Sequence, residues 1–173
     1  ELYEALGAVT EPNAEIYGIN STYANMTFGQ NMQVTMIQVA AAFASVVNGG
    51  HYYTPTVVAG TMEDGEFVEA AAREPVRETV SEETSAKMRE MLYNTRKAWR
   101  NTGLDAVGYY VGGKTGTAQV IRDGAYVLDE TVATYIGFGG TEGEMPEYVI
   151  MVRVWEDGKV AGGQEHALPV FNA

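Results

Sequence analysis

Gly113-Lys114-Thr115-Gly116-Thr117-Ala118-Gln119 is the stretch that decides how this chain folds. It sets one lysine, two hydroxyls and two glycines in a single short run. Tyr109-Tyr110-Val111 come before it and Val120-Ile121 after it. These are residue types that favour pleated backbone, so the run is expected to be a strand or a strand edge. Side chains alternate along extended chain, which puts Lys114 and Gly116 on one face and Thr115 and Thr117 on the other. Gly116 has no Cβ, so a ligand or another segment's backbone can come close there. Such an edge offers a cation, hydroxyls and open backbone N–H groups, and suits an anionic substrate or a developing oxyanion.

Working outward from this run, the last third of the chain reads as a β-meander. Its first strand spans about Tyr109 to Ile121, with Gly112-Gly113 the expected place for a bulge and Asp123-Gly124 the turn. The second runs from Thr131 to Phe138, Gly139 to Pro146 form a loop, and the third runs from Tyr148 to Trp155. Upstream, Met36 to Val47 read as a helix. Thr35 is its N-cap, Gln38 completes a capping box, and Asn48-Gly49-Gly50 supply the left-handed stop. This helix is apolar nearly all round, so it is expected to be buried.

His51 to Ala59 are β-like but interrupted by Pro55, and Glu63-Asp64-Gly65 resemble a hairpin turn. Ser81 caps a second helix with Glu82 and Glu83 at its positive end. Met88, Met91, Leu92, Thr95 and Trp99 form its apolar stripe, and Asn101-Thr102-Gly103 end it. Residues 8–33 read as an irregular surface connection, and Leu2 to Gly7 as the end of a helix. Helices followed by consecutive antiparallel strands define an α+β class, a three-stranded antiparallel sheet packed with helices.

Composition narrows the function. A chain of 173 residues is long enough to bury a core as one domain. Its formal charge of −12 argues against a nucleic-acid or anionic-membrane surface. There is no cysteine, and His51 and His166 stand apart, so neither a disulfide framework nor a metal site is expected. No apolar run reaches the roughly 20 residues needed to span a bilayer.

Gly113 to Gln119 closely resemble the third active-site motif of the penicillin-binding proteins, the D,D-transpeptidases that cross-link peptidoglycan. Further pieces resemble the same family in the same order. They are Phe28-Gly29-Gln30 with Val34-Thr35, the alanine-rich helix ending in Asn48-Gly49-Gly50, Val80-Ser81, Thr134-Tyr135-Ile136-Gly137-Phe138, Gly162-Gly163, and Ala167-Leu168-Pro169-Val170-Phe171. The resemblance implies that Lys114 supplies positive charge and joins a proton network. Thr115 and Thr117 would bind a substrate carboxylate, or that of a β-lactam, across Gly116. The N–H of Thr117 would be one oxyanion donor. It also implies an extracytoplasmic parent with an N-terminal membrane anchor, no cofactor, no direct membrane contact by this chain, and other cell-wall synthesis proteins as partners.

Where the chain departs from the family pattern, local expectations follow. Gly139-Gly140 stand where Ala-Pro is common, which is expected to loosen the end of the second strand. The chain stops at Ala173, before the family's C-terminal helix is complete. The family's nucleophile is the serine of Ser-x-x-Lys, activated by a nearby base. Ser21, Ser45, Ser81 and Ser85 are followed at the fourth position by Ala24, Asn48, Thr84 and Met88, and no Ser-x-Asn occurs. In the family both motifs lie upstream of the Phe28-Gly29-Gln30 region. Residues 1–173 are therefore expected to be the C-terminal part of a transpeptidase domain, inert alone.

Two other readings stand beside this one. The first is a non-catalytic cell-wall interaction module of the same fold. The second is a nucleotide binder, because Gly108 to Thr115 also match the phosphate-loop pattern G-x-x-x-x-G-K-[ST]. A phosphate loop needs a helix starting at its lysine, whereas β-like residues fill this one and no helical period follows.

Overall fold

The computed structural model describes residues 26–27, 29–30, 34–98, 105, 107–122 and 125–173. The expected helix end at 2–7, most of the 8–33 connection, Phe28, Trp99, the stop at 101–103 and the turn at 123–124 lie outside them.

Helix α1 spans Met36–Val47, as its caps dictate. Gln38 N–H donates to Thr35 Oγ1 at 3.3 Å, and Thr35 N–H donates to Gln38 Oε1 at 2.9 Å. Closing such a box is worth about 1 kcal/mol. The helix is not buried all round, however. Only Ser45 and Val47 are fully buried, and Ile37 is 59% exposed. Its C-terminal half rests on the sheet and the next helix, while its first turns overhang a groove.

Strand β1 (His51–Tyr52) pairs antiparallel with β4 (Arg77–Glu78). The β-like reading of 51–59 thus shrinks to two paired residues. Between these strands, β2 (Gly60–Glu63) and β3 (Glu66–Glu69) form the hairpin expected around Asp64-Gly65, both of which have positive φ.

Helix α2 spans Glu82–Ala98, and Ser81 Oγ accepts from Thr84 N–H at its start. Its fully buried residues are Ser85, Leu92 and Arg96; of the expected stripe Leu92 is buried, Met88 and Thr95 are half-buried, and Met91 is 62% exposed. Ser85 and Arg89 face the C-terminus of α1, where backbone groups lack partners within the helix. Ser85 Oγ accepts from Gly49 N–H at 2.9 Å, and Arg89 Nη1 donates to the Val47 carbonyl at 2.9 Å. Polar residues turn inward because a helix end is waiting for them.

The main sheet has strand order β5-β6-β7, all antiparallel. β5 is Tyr109–Arg122, β6 Ala125–Thr141 and β7 Tyr148–Val154. β6 is longer at both ends than its residues suggest. Gly139 is not loop: it pairs with Val111 on one side and Tyr148 on the other, and Gly140 pairs with Tyr110. Partners on the flanking strands override weak β-propensity, so the end of this strand is held rather than loosened.

The bulge also lies elsewhere. Gly112 and Gly113 pair in register with Phe138 and Gly137, and the shift falls between Gln119 and Ile121. It turns Glu130 fully inward, where its carboxylate accepts from Arg122 Nη2 and Trp155 Nε1. Gly112 is small for a different reason, close packing. A Cβ there would sit 2.5 Å from the Phe138 ring and 2.9 Å from the Tyr93 backbone nitrogen of α2.

The sheet has a core on each face. Phe138 packs with Val47 and Leu92 under α1 and α2, joined by Phe43, Tyr110 and Val149. On the opposite face Ala133 and Tyr135 pack with Ala161, Ala167 and Leu168. There a π-helical turn (Gly163–Ala167) leads into α3 (Leu168–Phe171). Arg96 of α2 reaches this second core. It donates to Asp105, to Tyr135 Oη at 3.4 Å and to Asn172 Oδ1 at 2.9 Å. Burial pulls the Arg96 pKa down, but the hydrogen bonds to Asp105 and Tyr135 outweigh it and the net shift is upward. The arrangement is mixed helix and antiparallel sheet, the α+β class expected.

Candidate active site

Lys114, Thr115, Gly116 and Thr117 lie on β5, at the margin of the sheet, and pair with Ile136, Tyr135, Thr134 and Ala133. The segment is pleated throughout. Strand continues through Arg122, so no helix starts at Lys114 and the phosphate-loop geometry is not adopted.

The backbone of this margin has a definite polarity. In an antiparallel ladder the N–H and C=O of one residue point to the same side. Two side chains that lie outside the ladder reach carbonyls here. Lys114 Nζ donates to the Thr115 carbonyl at 3.0 Å, and Gln30 Nε2 donates to the Thr117 carbonyl at 3.3 Å. The N–H groups of Thr115 and Thr117 therefore also point off the sheet.

Side chains divide as the two-residue repeat requires. Lys114 is exposed and folds along its own strand, its ammonium also 3.3 Å from Thr115 Oγ1. On the opposite face, Thr117 Oγ1 accepts from Gly163 N–H at 3.1 Å, which leaves its own proton free to donate outward.

At Gly116 another segment's backbone comes close, one of the two expected reasons for the glycine. The close approach there comes from the protein itself. A Cβ on Gly116 would collide with Thr134 Oγ1, and one on Gly163 would lie 2.6 Å from the Gly116 carbonyl and 3.1 Å from its nitrogen. The π-helical turn thus presses directly on the back of the Lys-Thr-Gly strand, and only glycine allows it.

Beside the margin, a groove of about 840 Å³ separates the first turns of α1 from the sheet. Gln30, Thr35 and Met36 line one wall; Ala118, Thr134 and Arg153 line the other. None of the described serines is presented there as a nucleophile. Ser45 Oγ donates to Ala42 O, Ser81 caps α2, and Ser85 serves the α1 terminus. Among the described residues no cluster of His, Cys, Asp or Glu could hold a metal ion. No described helix is long and apolar enough to cross a membrane.

Sequence reading placed the four strand residues but missed what flanks them. Gln30 and Gly163 lie in pieces already singled out, Phe28-Gly29-Gln30 and Gly162-Gly163, yet nothing local to either piece identifies its contact with Thr117.

A mixed fold of helices and antiparallel sheet thus displays Lys-Thr-Gly-Thr at a sheet margin, beside a groove. The family model for the penicillin binding protein transpeptidase domain matches residues 3–173, and the chain belongs to that family. It is 35% identical over 133 residues to stage V sporulation protein D of Bacillus subtilis, covering 76% of this chain and 20% of that protein. It is 30% identical over 164 residues to penicillin-binding protein PbpB of Mycolicibacterium smegmatis, covering 88% and 25%. Among solved structures it matches penicillin-binding protein 3 of Mycobacterium tuberculosis with a TM-score of 0.68 and 28% identity, covering 88% of this chain and 36% of that one. That protein has also been solved with aztreonam and with ampicillin. The chain thus spans between a fifth and about a third of the length of these three relatives.

Proposed function

We propose that residues 1–173 are the C-terminal part of one transpeptidase domain. Its parent would cross-link peptidoglycan stem peptides through a serine acyl-enzyme and be acylated by β-lactams in the same way. The observation that carries this reading is the sheet margin, where a cation lies next to two outward peptide N–H groups and a hydroxyl that is free to donate. In an acyl transfer, attack by the serine oxygen puts negative charge on the carbonyl oxygen. The Thr117 N–H, already aimed off the sheet, is an oxyanion donor that needs little reorganisation. The Thr115 and Thr117 hydroxyls hold the carboxylate, and Lys114 supplies positive charge and a route for the proton.

The nucleophile comes from sequence upstream of this chain, so the chain alone is inert. Two facts support this. No Ser-x-x-Lys occurs in the 173 residues, and the chain spans only a fraction of its relatives. The parent acts outside the cytoplasm from an N-terminal anchor, together with other cell-wall synthesis proteins, and needs no cofactor. Lys114→Ala in the full-length protein tests the reading. Acylation by fluorescent penicillin should fall at least about 100-fold while the melting temperature holds. Unchanged acylation removes Lys114 from the site.

A further inference from the structure

Between β1 and β4 the chain leaves the body of the protein as the β2-β3 hairpin. The base of this excursion is closed. Val76 N–H donates to the Tyr52 carbonyl at 2.8 Å, Arg73 Nη1 to the Thr54 carbonyl at 3.2 Å, and Ala70 N–H to the Ala59 carbonyl at 2.8 Å. Beyond it, among the described residues, β2 and β3 pair only with each other, so both outer edges keep unpaired backbone groups. Every residue of the two strands is exposed except Gly60, so neither face of the hairpin is buried.

The register gives the hairpin two unlike faces. Met62 pairs with Phe67, so both side chains stand on one face, 66% and 60% exposed. Phe67 reaches across to Gly60, where a Cβ would come within 2.6 Å of its ring, so the glycine makes room for the aromatic. On the other face Glu63 stands opposite Glu66, and Asp64 lies in the turn between them. Like charges placed directly opposite weaken a ladder. No lysine or arginine occurs from His51 to Ala72, and none of these three carboxylates has an ion pair among the described residues.

A two-stranded hairpin is marginally stable in water, and what it lacks is a further strand with an apolar face. We infer that the β2-β3 hairpin is a docking edge for another protein, which adds an extended segment of alternating apolar and basic side chains as a third strand. The alternation follows from the two faces. Apolar side chains of the added strand cover Met62 and Phe67, and lysines or arginines on its other face meet Glu63 and Glu66. Charge decides against other occupants. A second copy of this chain would set Glu63, Asp64 and Glu66 against their equivalents, and an anionic lipid surface would meet the same three carboxylates at the hairpin tip.

The test titrates the full-length parent into fluorescein-labelled Lys-Val-Lys-Val-Lys-Val-Lys and follows anisotropy. One control is Glu-Val-Glu-Val-Glu-Val-Glu; the other is Lys-Lys-Lys-Lys-Val-Val-Val, of the same composition without the alternation. The alternating lysine peptide is expected to bind at least about 10-fold more tightly than either control and to slow amide exchange across residues 60–69. Met62→Ser with Phe67→Ser, and separately Glu63→Lys with Glu66→Lys, should each weaken it by about 10-fold or more. The second pair serves if the first does not fold. Equal binding of the alternating and block lysine peptides, or unchanged binding by either folded pair of variants, would overturn the inference. So would capture by phosphatidylglycerol vesicles, or self-association in sedimentation, that the Met62 and Phe67 substitutions abolish.

Discussion

Lys114 lies on β5 and Gly163 packs against that strand from the π-helical turn, and their substitution should fail in opposite ways. The Lys114 side chain is exposed and among the described residues hydrogen-bonds to Thr115, so removing it is expected to leave the fold intact and remove charge from the proposed site. Gly163 has no chemical group to lose. A methyl there would press on the Gly116 backbone and on the Thr134 carbonyl, 2.8 Å away. Gly163→Ala is expected to destabilise the protein by about 1–3 kcal/mol and to slow acylation, because the collision falls on the strand that carries the site. Urea denaturation and penicillin labelling read the two effects separately. A stable variant with full labelling would show that the π-helical turn does not hold the strand.

At the scale of elements, α2 ties the two cores together. Leu92 joins the Phe138 core, and Arg96 spans to Asp105, Tyr135 and Asn172 beside the other. Arg96 is 3% exposed, so stripping it to alanine leaves Asp105 without its partner. Arg96→Ala should cost about 3–5 kcal/mol, whereas Arg96→Met with Asp105→Leu should recover most of that loss. Equal midpoints for the single and double variants in urea would refute the assignment.

The same elements show what could be read in advance. Thr35, Gln38 and the glycines after Asn48 fixed α1 because capping is local chemistry. The Tyr109 to Ile121 pattern and Lys114 to Thr117 were legible for the same reason, since alternation and motif are written in neighbouring residues. The inward turn of Ser85 and Arg89 was not, because their partners are backbone groups at Val47 and Gly49 on another helix. Nor was the length of β6, whose glycines are strand only because Val111, Tyr110 and Tyr148 pair with them. Gln30 and Gly163 were visible as motif pieces, but the tertiary fold alone brings both to Thr117.

Over the described residues, one sheet face packs Ala133 and Tyr135 against Ala161, Ala167 and Leu168, and the other packs Phe138 against Val47 and Leu92. The groove beside Thr134 and Arg153 runs along Ala118 to Ile121, the continuation of the Lys-Thr-Gly-Thr margin, and the exposed first turns of α1 overhang it. On the proposed reading, the margin carries an oxyanion donor and a cation, and the nucleophile lies in sequence upstream of this chain. The most direct test compares fluorescent-penicillin labelling of the full-length parent and of these 173 residues, with the adduct located by mass spectrometry. One adduct on a serine upstream of Glu1 in the parent, and none on the isolated chain, is the expected result. Labelling of the isolated chain, or an adduct within residues 1–173 of the parent, would contradict it.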